Sequence, residues 1–158
     1  MNDTYSINPS GEKFRLPEKE DYAAEMRRLT KLAEEARAKG QEIVVVMGAG
    51  FVGAVMAAVV ASTKSKPINA ERGTLNAERD SNAERRTLNA EQRTKFVIVC
   101  QRPSPRSYWK IPMLSRGESP IKAEDPEVEE LIARCVKVDK TLTATYNSDC
   151  LALADCVV

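Results

Sequence analysis

Three glycines at fixed spacing are the residues of this chain with the plainest chemical use. Gly48, Gly50 and Gly53 lie in the run Gly48-Ala49-Gly50-Phe51-Val52-Gly53, which fits G-x-G-x-x-G. Each glycine has a separate task in a loop that holds a pyrophosphate. The first permits a tight turn, the second lets the backbone approach the phosphates where a Cβ would collide, and the third lets the following helix pack closely on the preceding strand. The backbone of Phe51 and Val52 then supplies N–H groups at a helix start, whose positive dipole end suits an anion. The chemistry implied is the binding of a dinucleotide. The bland alternative is a tight strand-to-helix turn without a ligand.

Other reactive groups are sparse. Histidine is absent, and the four cysteines, Cys100, Cys135, Cys150 and Cys156, include no C-x-x-C pair. This argues against a zinc site and against a Cys-His or Ser-His catalytic pair, so no metal-binding and no catalytic residue is assigned. The cysteines read as small buried apolar side chains. Lys and Arg total 24 against 23 Asp and Glu, so no global basic field points to nucleic acid. No apolar run reaches membrane-spanning length, and the polar start MNDTYSINPSGEKF lacks a signal core. A cytoplasmic location follows by default.

The glycines must be positioned by a strand before them and a helix after them, and the 42–61 sequence EIVVVMGAGFVGAVMAAVVA supplies both. Ile43 to Met47 form a continuous apolar run of the kind found in parallel strands buried on both faces. Helix formers follow the turn without a break. This context strengthens a glycine pattern that is weak alone. Upstream, residues 1–16 read as a flexible arm. Residues 17–40 read as an extra N-terminal helix, with Tyr22, Met26, Leu29, Ala33 and Ala36 at helical spacing and Gly40 as its stop. Such a helix is expected to cover the sheet or an adjoining surface.

Residues 64–94 break the pattern. The unit NAER begins at Asn69, Asn76 and Asn82, and NAEQ at Asn89, with spacings of seven, six and seven. With only Ile68, Leu75 and Leu88 as large apolar residues, this repeat cannot build a core and is expected to be a solvated, low-complexity insertion. Its arginines alternate with glutamates, which dilutes any anion-binding field.

After the insertion, KFVIVC at 95–100 reads as a second strand. A proline-rich loop follows, with no helix expected before Ile111 and only a short turn at 114–117. Residues 127–138 read as an amphipathic helix buried through Val128, Leu131, Ile132, Cys135 and Val136. Residues 141–145 read as a third strand, 148–154 as one or two helical turns, and 155–158 as the start of a fourth strand. The expected fold class is α/β: an incomplete Rossmann-like parallel sheet of about four strands. The partial dinucleotide-binding domain then spans 41–158, interrupted by the repeat.

Four blocks make the chain resemble the nucleotide-sugar dehydrogenases, the UDP-glucose/GDP-mannose dehydrogenase family. VVVMGAGFVGAVMA matches the family's G-x-G-x-V-G opening, and WKIPMLSRGESPI at 109–121 resembles its K-I-x-x-L segment after the second strand. AEDPEVEELI resembles the acidic lead into its next helix, and LTATYNSDCLALADCVV the strand, short helix and strand beyond. The resemblance implies an NAD-binding, N-terminal portion of an enzyme that oxidises the C6 alcohol of a UDP- or GDP-sugar to the acid. It covers none of the family's catalytic region, and no cysteine here matches the family's nucleophile. The alternatives are a catalytically dead Rossmann fragment and an interaction module without turnover. The resemblance also implies polysaccharide biosynthesis, a nucleotide sugar as partner only if the rest of the enzyme is present, and family members that oligomerise.

One position departs from the dinucleotide pattern. An acidic residue is expected after the second strand to bond the adenosine ribose, but the chain there reads Cys100-Gln101-Arg102. Gln101 can bond a ribose hydroxyl, while Arg102 suits a 2′-phosphate or stacks on adenine. The residues leave NAD and NADP both open; the resemblance favours NAD.

Overall fold

A computed structural model of the chain describes residues 4–63, 94–122 and 126–158. The repeat expected at 64–94 lies, but for Thr94, outside the described residues. The elements in order are β1 (Tyr5–Ile7), β2 (Lys13–Arg15), α1 (Lys19–Ala38), β3 (Glu42–Met47), α2 (Phe51–Ser62) and β4 (Lys95–Cys100). There follow α3 (Lys110–Ser115), α4 (Pro126–Lys137), β5 (Leu142–Thr145), a 3-10 helix (Ser148–Leu153) and β6 (Cys156–Val157).

Four strands form one parallel sheet in the order β5-β4-β3-β6. The first strand of the unit, β3, is therefore interior. The second and third step away from it on one side, and the fourth returns to the other. The reversal falls between β3 and β6, the place where ligands bind in open α/β sheets. The expected Rossmann-like parallel sheet is thus present.

Strand periodicity divides the core into two layers. Val44 and Val46 of β3, Val97 and Val99 of β4, and Leu142 and Ala144 of β5 pack against Ala57, Ala58 and Ala61 of α2 and Ile132 and Cys135 of α4. The alternate residues Ile43, Val45, Phe96, Ile98 and Cys100 pack against Leu29, Ala33 and Ala36 of α1. The N-terminal helix thus packs on one face of the sheet, sharing that layer with Cys150 of the 3-10 helix. Its start is closed by a capping box in which the Glu18 side chain and that of Asp21 each accept from the other's backbone N–H. Its end is tied down by Arg37, which donates to the Leu153 carbonyl at 2.8 Å.

Two stretches depart from expectation. Residues 1–16 were expected as a flexible arm, but β1 and β2 pair antiparallel, Ser6 opposite Phe14. The Asn8 side-chain oxygen closes the turn by accepting from Glu12 N–H at 2.8 Å and Ser10 N–H at 3.1 Å. The hairpin is fastened across α3. Trp109 N–H donates to Ser6 Oγ at 3.1 Å, and Arg116 grips the Glu12 carboxylate through two bonds of 2.9 and 3.0 Å. The second departure is α3 itself, which begins at Lys110, one residue earlier than expected, and is a helix through Ser115 rather than a loop with a short turn. Pro112 sits in its first turn, where the missing N–H would have had no intrahelical partner.

Candidate functional site

The turn after β3 is built by the end of β4. Gly48 has φ +104°, a left-handed value that a Cβ would strain. Its N–H donates to the Cys100 carbonyl at 2.7 Å. Ala49 is fully buried, and its N–H donates to Oε1 of Gln101 at 2.9 Å. The second strand therefore supplies two consecutive acceptors, one from backbone and one from side chain, that fix the first half of the turn.

Gly50 is the N-cap of α2 and has ordinary extended dihedrals, φ −77° and ψ −174°. Any residue adopts these angles, so conformation does not call for glycine here. Nor does packing within the chain call for it: a Cβ built on Gly50 has no protein atom within 4 Å. Gly53 is the opposite case. A Cβ there would be driven into the carbonyl oxygen of Gly48 and to 3.1 Å from its carbonyl carbon. One glycine leaves an opening above the turn; the other lets helix and turn touch.

The first turn of α2 has no acidic residue and no side-chain cap, so its dipole end is uncompensated by the chain. Phe51 and Val52 are 61% and 67% exposed at this mouth. Beside them, Met47 at the end of β3 and Val157 and Val158 of the β6 end are also exposed. Gly48, Gly50, Phe51, Val52, Gly53 and Gln101 are thus brought to one carboxyl edge of the sheet, where Arg102 follows directly. Arg102 is exposed, and among the described residues its guanidinium has no hydrogen bond or ion pair. Gln101, read in the sequence as able to bond a ribose hydroxyl, has a structural part in the turn as well. Its oxygen is engaged by Ala49, and its Nε2 donates to the Arg102 carbonyl at 3.3 Å. Cys100 and Ala49 have structural parts in the turn that the glycine pattern did not reveal. A polar residue directly after a buried strand was the one available signal.

A second concavity, about 400 Å3, opens at the carboxyl end of β5 between α1, Tyr108 and Tyr146. Its charges are matched within its own wall. Glu25 accepts from Arg28 at 2.7 and 2.8 Å and from Thr145 Oγ1 at 2.7 Å, and Asp21 accepts from Arg15 at 3.1 Å. The hydrogen bonds that it donates to the Glu25 carboxylate hold the Arg28 guanidinium more firmly charged. Burial, followed by the nearby Glu25 carboxylate, pushes the Tyr146 phenol up to about 12. Among the described residues no group of three or more His, Cys, Asp or Glu side chains is arranged to hold a metal ion. No described helix is long and apolar enough to cross a membrane.

The fold and sequence together are similar to the crystal structure of NDP-N-acetyl-D-galactosaminuronic acid dehydrogenase from Methanosarcina mazei Go1, with 29% identity and a TM-score of 0.52. The match covers 82% of this chain and 21% of that protein. The chain resembles the N-terminal part of a nucleotide-sugar dehydrogenase. It spans about a fifth of the length of that structure. No protein-family profile matches the chain, and no curated protein does.

Proposed function

We propose that the chain binds a nicotinamide dinucleotide, NAD rather than NADP, through the turn Gly48–Gly53, as the cofactor-binding portion of a nucleotide-sugar dehydrogenase. The observation that carries this reading is the contrast within the turn. Gly50 faces open space although its dihedrals suit any residue, and a pyrophosphate is the ligand for which a Cβ at that place would be an obstacle. Support comes from the position of the turn at the β3/β6 reversal, the uncompensated start of α2 and the dehydrogenase likeness. The cofactor, when bound, accepts hydride. The chain's own part is to seat the phosphates on the backbone of residues 48–53 and to present Arg102 to the adenosine end. The reading is of binding without turnover by this chain.

Calorimetric titration with NADH and NADPH tests it. Binding of NADH is expected with the chain as it stands, weakened at least about tenfold in Gly50→Ala. The melting temperature should stay nearly unchanged, since the added methyl meets no protein atom. Absence of heat with both nucleotides from the folded chain refutes the proposal.

A further inference from the structure

The loop after β4 carries a polar atom that its own fold leaves free to accept. Ser104 stands between Pro103 and Pro105, and the proline after it biases its backbone toward the extended form. Its carbonyl oxygen closes the turn that follows, accepting from Ser107 N–H at 3.1 Å and Tyr108 N–H at 2.9 Å. A serine ahead of such a turn commonly directs its side-chain oxygen to an N–H two or three residues on. Ser104 Oγ instead lies 2.7 Å from Ser107 Oγ. Ser107 Oγ in turn donates to the Arg102 carbonyl at 3.5 Å. A hydroxyl has one hydrogen and two lone pairs. With the Ser107 hydrogen on Arg102, Ser104 is the donor within the pair, and both of its own lone pairs stay free among the described residues.

Consecutive hydrogen bonds tie this pair to the glycine turn. Ala49 N–H donates to Gln101 Oε1 at 2.9 Å, Gln101 Nε2 donates to the Arg102 carbonyl at 3.3 Å, and that carbonyl also receives Ser107 Oγ. Ser104 Oγ is the far end of the series. It follows the second strand, where the dinucleotide pattern calls for an acceptor. Past Gln101, Arg102 has only donors and Pro103 has no polar side-chain atom, so Ser104 is the first residue whose side chain can accept.

We propose that Ser104 Oγ accepts the hydrogen bond of the adenosine 2′-hydroxyl, in place of the carboxylate that this chain lacks after β4. The proposal rests on the dinucleotide reading and names a specificity residue within it. An oxygen that already donates its own hydrogen along a chain of hydrogen bonds is polarised toward accepting. Ser104 thereby supplies what a carboxylate supplies to a ribose hydroxyl, without the charge. The absence of that charge agrees with the state of Arg102. A carboxylate two residues away would draw its guanidinium into an ion pair, whereas beside a neutral hydroxyl it stays exposed.

The experiment titrates the full chain calorimetrically with NADH and with NADH that lacks the 2′-hydroxyl of its adenosine ribose. The parent chain is expected to prefer NADH about tenfold, the effect of one hydrogen bond. Ser104→Ala should bind the two nucleotides within about twofold of each other, and Ser104→Thr, which keeps the hydroxyl, should keep the preference. The loop-closing bonds of Ser104 run through its carbonyl, so Ser104→Ala should melt within a few degrees of the parent. Where it does not, Ser104→Cys, similar in shape but a poor acceptor, reads the same ratio. A tenfold preference that survives in the variant lacking the hydroxyl overturns the proposal and leaves the dinucleotide reading standing. So does a parent chain that binds both nucleotides equally. Binding of neither nucleotide by the folded parent overturns the dinucleotide reading itself, and this proposal with it.

Discussion

Gln101 Oε1 accepts a 2.9 Å hydrogen bond from the backbone N–H of Ala49, so the residue that follows β4 closes the turn that follows β3. Ala49 is fully buried, and its N–H has no water to turn to. Removing the acceptor in Gln101→Ala should cost about 1–3 kcal/mol, the usual penalty for a stranded buried donor. Gln101→Glu keeps an acceptor and should recover most of the loss. Chemical denaturation of the two variants measures it; equal stability of Gln101→Ala and the parent chain would show the bond to be dispensable.

Gly53→Ala should destabilise the fold by about 1–3 kcal/mol or more, because the new methyl is forced against Gly48. Gly50→Ala should change stability by less than about 1 kcal/mol, its site being open and its dihedrals ordinary. The pair separates a glycine required by packing from one that packing does not require. Thermal melts in the absence of nucleotide suffice, and similar losses in both variants would contradict the division.

Under the proposed dinucleotide binding, Arg102 is the residue to test for cofactor choice. Its guanidinium is exposed and uncommitted among the described residues, one position beyond a glutamine already engaged by the turn. Arg102→Asp restores an acceptor for ribose hydroxyls and sets a like charge against a 2′-phosphate. The ratio of NADH to NADPH affinity should rise about tenfold or more. Titration of both nucleotides with both proteins reads the ratio; no change would place Arg102 away from the adenosine end.

Leu29 is the largest wholly buried side chain of α1. Leu29→Ala should cost about 2–5 kcal/mol, as a core truncation does. The urea transition should move to lower concentration and remain single, since α1 shares its core layer with β3 and β4. Two separate transitions would instead make the N-terminal helix an independent unit.

Tyr146 links stability to alkaline pH. Its phenol titrates near 12 in the folded chain against about 10 in an unfolded one, so the folded state holds the proton more tightly. The stabilisation is complete below pH 10 and is lost as pH rises toward 12. Tyr146→Phe should melt at a temperature less sensitive to pH across that interval. Identical pH dependence in both proteins would remove Tyr146 as the source. The hydroxyl donates to the Asp21 carbonyl at 3.2 Å, so the variant also loses one bond at neutral pH, and the comparison is of slopes.

Much of the fold was legible because strong local signals agreed with each other. The apolar runs at 43–47 and 95–100 could only be buried parallel strands once a glycine turn and a helix separated them. Leu29, Ala33 and Ala36 gave α1 its buried stripe, and Ile132 and Cys135 gave α4 its own. What escaped rests on contacts distant in sequence. The hairpin of residues 5–15 owes its order to Trp109 and Arg116, which lie about a hundred residues away, and its Asn8-Pro9-Ser10-Gly11 turn signal was too short to decide the matter alone. Helix α3 escaped because prolines at 103, 105 and 112 argue locally against helix, although one in a first turn does not. At the site, the glycine spacing was plain. The use of Gln101 as a structural acceptor was not, because a side-chain amide bonds whatever the fold sets beside it.

Ile43 and Asp155 meet twice, N–H to carboxylate at 2.8 Å and carbonyl to N–H at 2.9 Å, across 112 residues of chain. For a protein made from its N-terminus onward this fixes a timetable. The most apolar strand, β3, is synthesised early, gains β4 about fifty residues later, and keeps one hydrogen-bonding edge bare until the last residues of β6 leave the ribosome. Pairing over such a separation is slow, and a bare apolar edge is a template for the wrong partner. Between the synthesis of Met47 and that of Asp155 the second edge of β3 is therefore without its partner strand.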